Sequence, residues 1–171
     1  MSTPDEVDRI VDAWQLERPD LDVAPLQVLS RVSRLARHLD IARREAFAAN
    51  DLEPGEFDVL AALRRAGKPY TLSPSVLISQ NLVTSGTMTN RIDRLESKGL
   101  VARLPDPSDG RGILVQLTQT GKSAVDRALE ELLTREQLLL ATISKAEQEK
   151  LANVLRSIVL PFDEESSGQE S

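Results

Sequence analysis

Cysteine is absent from the 171 residues, so no disulfide framework, thiolate metal site or cysteine nucleophile can be built. Histidine occurs once, at position 38; a lone histidine is far more often a structural or surface residue than a metal ligand or catalytic base, and no role is assigned to it. Aromatic residues make up only 3% of the chain, so a core must be packed from Leu, Val, Ile and Ala, a composition that favours helices. No apolar run is long enough to cross a membrane, and the acidic start MSTPDEVDRI lacks a signal-peptide core. A cytoplasmic location is expected. No glycine-rich phosphate loop and no HExxH pattern occurs, and no pair of carboxylates is singled out by spacing. An enzyme is therefore disfavoured and no cofactor is implied.

What is present is an uneven distribution of charge. The net charge is −6. Residues 1–83 carry 10 basic and 13 acidic groups, residues 123–171 carry 5 and 10, and residues 84–122 carry 6 and 4. Only the middle segment is positive, by 6 − 4 = +2. A local positive face on an acidic chain suits selective rather than indiscriminate contact with nucleic acid.

That middle segment reads as a helix, a stop, a strand, a polar turn and a second strand. Thr84 is a candidate N-cap, Met88, Ile92 and Leu95 share one helical face, and Gly99 follows Lys98 as a C′ glycine. Gly86, Asn90, Asp93, Arg94 and Ser97 lie opposite. Leu100–Leu104 and Ile113–Leu117 read as strands across a turn from Pro105 to Gly112. Asn90 and Arg94 become candidate readers of base edges, with Ser85, Thr87 and Thr89 beside them. Arg111 at the hairpin tip is a candidate minor-groove contact. The combination predicts a winged helix-turn-helix. The alternative is an ordinary amphipathic helix followed by a hairpin.

The flanking sequence predicts more helices. Pro4 is expected at the first position of a helix running to about Glu17, and Pro25 opens a second, long one. Pro54 starts a third helix through about Arg65, burying Phe57, Leu60, Ala61 and Leu63. Ser73-Pro74 opens a short fourth through about Gln80. Thr118 caps a further helix, and Ser144 with Glu147 fits a capping box for the last, with Pro161 near its end. The expected division is 1–50 as N-terminal helices, 51–118 as the winged helix-turn-helix, 119–162 as C-terminal helices, and 163–171, DEESSGQES, as a disordered acidic tail. The fold class is mainly α with a small β-hairpin wing. The terminal helices carry more apolar surface than so small a module needs, which a two-fold homodimer could bury. Padding of a monomer core is the alternative.

The block TNRIDRLESKGLVARLPDPSDGRGILVQLTQTGK, residues 89–122, resembles the MarR family of bacterial transcriptional regulators. It matches the family's recognition helix, its LE-x-KGLV-x-R run, its Asp-x-Arg wing tip and its closing LT-x-x-G, and the helical order around it agrees. The resemblance implies a homodimer on a pseudo-palindromic operator, often released by a small ligand. It also implies that Asp109 orients the wing and that Arg111 enters the minor groove. Gly110 and Gly112 stand where many relatives carry a basic and a small residue.

A narrower resemblance is to the urate-responsive subgroup, which holds a urate-like anion with one Trp, one Asp and two Arg. Motif matching places these on Trp14, Asp58, Arg91 and Arg103. The residues are chemically suited to that task. Arg91 lies about 60° from Met88, at the edge of the apolar face, where a half-buried guanidinium needs an acceptor. A planar aromatic anion offers acceptors to a guanidinium fork, donors to a carboxylate and a π-face to an indole. Urate, a related purine or a phenolic acid would qualify. The bland alternative for the quartet is a salt bridge between Asp58 and one Arg, with Trp14 filling the core. For the chain as a whole, a winged helix that binds protein instead of DNA is the competing reading.

Overall fold

A computed structural model of the chain describes residues 3–109 and 112–168, the side chains of 164–168 excepted. Residues through Leu133 form one compact unit and those from Thr134 a second.

The first unit begins with α1 (Glu6–Glu17) and α2 (Ala24–Ala48). Helix α1 starts later than Pro4 predicts: Asp5 is the N-cap, and its carboxylate accepts from the N–H groups of Val7 and Asp8. An aspartate that satisfies two orphan donors defines the helix start more strongly than a proline can. Val7 and Val11 pack with Val23 and Leu26 in a small satellite core. Arg31 of α2 reaches back to Asp5 at 2.9 Å and Asp8 at 2.8 Å, which ties the two helices together.

The main core lies under α3 (Pro54–Arg65), α4 (Pro74–Asn81) and α5 (Ser85–Ser97). Phe57, Leu60, Ala61 and Leu63 are buried as their spacing predicts. Phe47 of α2 stacks on Phe57 with ring centroids 4.1 Å apart. Met88, Ile92 and Leu95 fix the inward face of α5. Strands β2 (Val101–Pro105) and β3 (Ile113–Leu117) form the expected antiparallel hairpin, with Arg103 opposite Val115. A two-residue strand β1 (Thr71–Leu72), which no sequence signal announces, pairs with the other edge of β3 and gives the order β1-β3-β2. The result is a mainly helical fold with a three-stranded antiparallel sheet.

Helix α6 (Gln119–Leu139) starts where sequence places it. The Thr118 hydroxyl accepts from the Gly121 N–H at 2.9 Å and donates to the Gly99 carbonyl at 2.8 Å, joining the start of α6 to the end of α5. Gly121 is buried, and a Cβ there would overlap the Leu100 carbonyl oxygen.

In the second unit the Ser144–Glu147 capping box is present: the Ser144 N–H donates to the Glu147 carboxylate and the Glu147 N–H to the Ser144 hydroxyl. Helix α7 (Lys145–Gly168) then runs through Pro161 and takes in most of the segment expected to be a disordered tail. A proline inside a helix removes one backbone bond, but the carbonyl so released belongs to exposed Ser157, where water can satisfy it. Residues 169–171 lie outside the described residues. No described helix is long and apolar enough to cross a membrane.

Candidate functional site

Helix α5 presents its polar side outward. Thr84 caps it, accepting from the Thr87 N–H at 3.3 Å, and the Thr84 hydroxyl donates to that of Thr87. Ser85, Thr87, Thr89 and Asn90 are all exposed. The Thr89 hydroxyl donates to the Ser85 carbonyl, which leaves its methyl and Asn90 as the outward groups of that turn.

Arg94 is exposed too, but it is engaged. Its guanidinium forms a fork with Glu53, just ahead of α3, through bonds of 3.1 and 2.7 Å. Behind this pair lies a group that sequence reasoning overlooks. Glu56 is 1% exposed, and its carboxylate accepts from Lys98 at 2.9 Å and from the Glu53 N–H at 2.9 Å. Lys98 also donates to the Asp51 carbonyl at 2.7 Å. A buried carboxylate persists only with such partners. Its one sequence signal is a capping-box spacing, Glu53 then Glu56, either side of Pro54.

The four residues matched to an anion site are distributed as follows. Arg91 is half-buried, and its guanidinium lies so close over Gly55 that a Cβ there would stand 2.5 Å from it. Asp58 is one turn further along α3 and therefore on the same face as Gly55. Arg91 makes no hydrogen bond or ion pair among the described residues, whereas Asp58 faces Arg43 of α2 at 3.6 Å. Arg43 also lies 5.4 Å over the Phe47 ring. Arg103 turns to Asp93 and Glu96 of α5, so its guanidinium already has acceptors within the protein. The bond to Asp93, chiefly, raises the Arg103 pKa; burial opposes this and Glu96 adds to it. Trp14 on α1 is 49% exposed, so it does not fill the core, and its ring has no aromatic or cationic partner among the described residues. The arrangement thus brings Arg91 and Asp58 to one face of α3 and leaves Arg103 and Trp14 on separate elements.

A polar cleft of about 590 Å³ opens between the start of α3 and α5, lined by Glu53, Gly55, Thr87, Asn90, Arg91, Asp93 and Arg94. It contains Arg91 but none of the other three members of the quartet. In the wing, Asp106 accepts from the Ser108 hydroxyl and N–H, which hold its carboxyl below the usual carboxylate range. The Asp109 carbonyl accepts from the Gly112 N–H at 2.8 Å. Arg111, the expected groove contact, lies outside the described residues. No group of acidic, His or Cys side chains among the described residues could hold a metal ion.

Comparison with known proteins bears directly on this architecture. A model of the MarR family matches residues 50–112. The transcriptional regulator PecS of Dickeya dadantii is 39% identical over 150 residues, which span 88% of this chain and 90% of PecS. The chain belongs to the MarR family. Its MarR-family relatives are regulators of transcription, not enzymes, and this chain is a DNA-binding transcriptional regulator. The transcriptional repressor YetL of Bacillus subtilis is 26% identical over 136 residues, 80% of this chain and 81% of YetL. Among solved structures, a mutant of MarR from E. coli complexed with operator DNA superposes with a TM-score of 0.67. It is 28% identical, and the match covers 81% of this chain and 99% of that one.

Proposed function

We propose that the chain is a homodimeric repressor that binds a pseudo-palindromic operator and lets it go when a small aromatic anion such as urate binds. Ser85, Thr87, Thr89, Asn90 and Arg94 would enter the major groove, and Arg111, oriented by Asp109, the adjacent minor groove. Trp14, Asp58, Arg91 and Arg103 would hold the anion.

The observation that carries the ligand reading is the seat of Arg91. It is a half-buried guanidinium with no protein acceptor among the described residues, resting on glycine one turn from a carboxylate. It belongs to the same helix as Asn90. An anion drawn to Arg91 therefore acts on the reading helix itself, and one that also recruits Arg103 must draw it from Asp93 and Glu96. To move a repressor from mostly bound to mostly free, the ligand must favour the released state by a few kcal/mol.

Mobility shift on operator DNA with increasing urate tests this. Trp14→Phe and Arg91→Ala should bind DNA much as the parent does but resist release. Release of both variants at the parent's urate concentration would remove the site.

A further inference from the structure

The Glu53–Arg94 fork stands apart from the rest of the charge pattern of α5. Arg94 sits on the outward face of the reading helix, yet both oxygens of an acidic side chain from α3 already occupy it. Both side chains of the pair are largely exposed, 60% and 49%, although the Arg94 Nε also stands 3.6 Å from the buried Glu56 carboxylate. Glu53 is not needed to neutralise Lys98, whose partner is buried Glu56. A carboxylate accepting a bidentate guanidinium presents the same two-oxygen, anionic geometry as a DNA phosphate.

We infer that Glu53 is an internal competitor for Arg94, a phosphate mimic that sets how tightly the free protein takes up DNA. This rests on the reading that Arg94 contacts DNA. Before it can do so, the guanidinium must leave Glu53, and the carboxylate then remains beside the same cleft facing the duplex. Both effects weaken binding. Because exposed ion pairs are weak, the effect is modest: removing the competitor should tighten binding about three- to fivefold. Screening acts on the internal pair as well, so the gain should be largest at low salt and shrink towards none as the ionic strength rises.

The test uses the full-length chain and two duplexes: one selected by the parent from a random pool, and an unrelated one of equal length. Glu53→Gln should tighten binding to both, and Glu53→Ala, which deletes the carboxylate differently, should do the same. Arg94→Ala should weaken binding. Adding Glu53→Gln to Arg94→Ala should then change nothing further. If Arg94→Ala binds as the parent does, the reading of Arg94 as a DNA contact fails and the competitor fails with it. If Arg94→Ala weakens binding but both Glu53 variants are neutral or weaker, that reading stands and the competitor is overturned. Equal tightening with and without Arg94 would reduce Glu53 to a diffuse repulsive charge and also overturn it.

Discussion

Glu56 is the side chain whose removal should be felt most. It is buried, and its carboxylate joins the first turn of α3 to Lys98 at the end of α5. Lys98→Ala would leave that carboxylate with one backbone donor and the Arg94 guanidinium at 3.6 Å, at a cost of about 2–3 kcal/mol of stability. Urea unfolding of the variant checks this. Gly55 matters for a different reason. A methyl group there would collide with the Arg91 guanidinium. If urate is the ligand proposed above, Gly55→Ala should therefore displace Arg91 and remove the thermal stabilisation that urate gives the parent, while the fold melts within a few degrees of the parent. The half-buried placement of Arg91 was legible on a helical wheel, because position relative to Met88 is a local matter. The burial of Glu56 was not, because a charged residue in a core is decided by partners 42 positions away.

Elements whose ends are defined by neighbouring residues were readable from sequence. Thr84, Ser73 and Ser144 act as caps with their own backbone donors, and Gly99 adopts φ +69° just past α5. Strand β1 was invisible because Thr71 has no local reason to extend and gains its partner only at Gln116. The closing LT-x-x-G run has a physical basis at Gly121, which packs against the Leu100 backbone. Gly121→Ala should cost at least about 2 kcal/mol through overpacking, seen as a lower urea midpoint at unchanged slope. Helix α1 should respond to acid. The Arg31 guanidinium, chiefly, and the Asp8 N–H hold the Asp5 carboxyl below its usual value. A carboxylate depressed in the folded state stabilises it above the ordinary carboxylate pKa and ceases to do so as pH falls through the lowered one. Emission from Trp14, the single tryptophan, should therefore shift in the parent below about pH 4, and Asp5→Asn should show the shifted signal already at neutral pH.

The exposed apolar surface is a property of the chain as a whole. Val28, Leu29 and Val32 on α2, and Val154, Ile158 and Phe162 on α7, are all exposed in the single chain. Such area calls for a partner, and a second copy would place two reading helices about one turn of DNA, roughly 34 Å, apart. Light scattering should give about 2 × 18.8 = 37.6 kDa. Leu29→Glu with Ile158→Glu should halve that mass and weaken operator binding at least tenfold, since a lone protomer can grip only one half-site. The apolar excess of the terminal helices is legible in the sequence and is what suggests such an assembly; which of those residues stay uncovered in the single chain is not, because α1 screens part of α2 through the satellite core.

The Thr118 hydroxyl has one further consequence. With its end stitched to the start of α6 there, and Lys98 moored beside it, the reading helix has little freedom to slide along its own axis. A roll about that axis is the other rigid motion open to a helix, and it would have to loosen the Arg94 fork with Glu53. Side-chain tips stand about 5–6 Å from a helix axis, so a roll of about 20° carries Asn90 sideways by roughly 2 Å, further than a hydrogen bond to a base can stretch. A regulator whose helix rolled in this way would lose its grip by twisting in the groove and not by backing out of it.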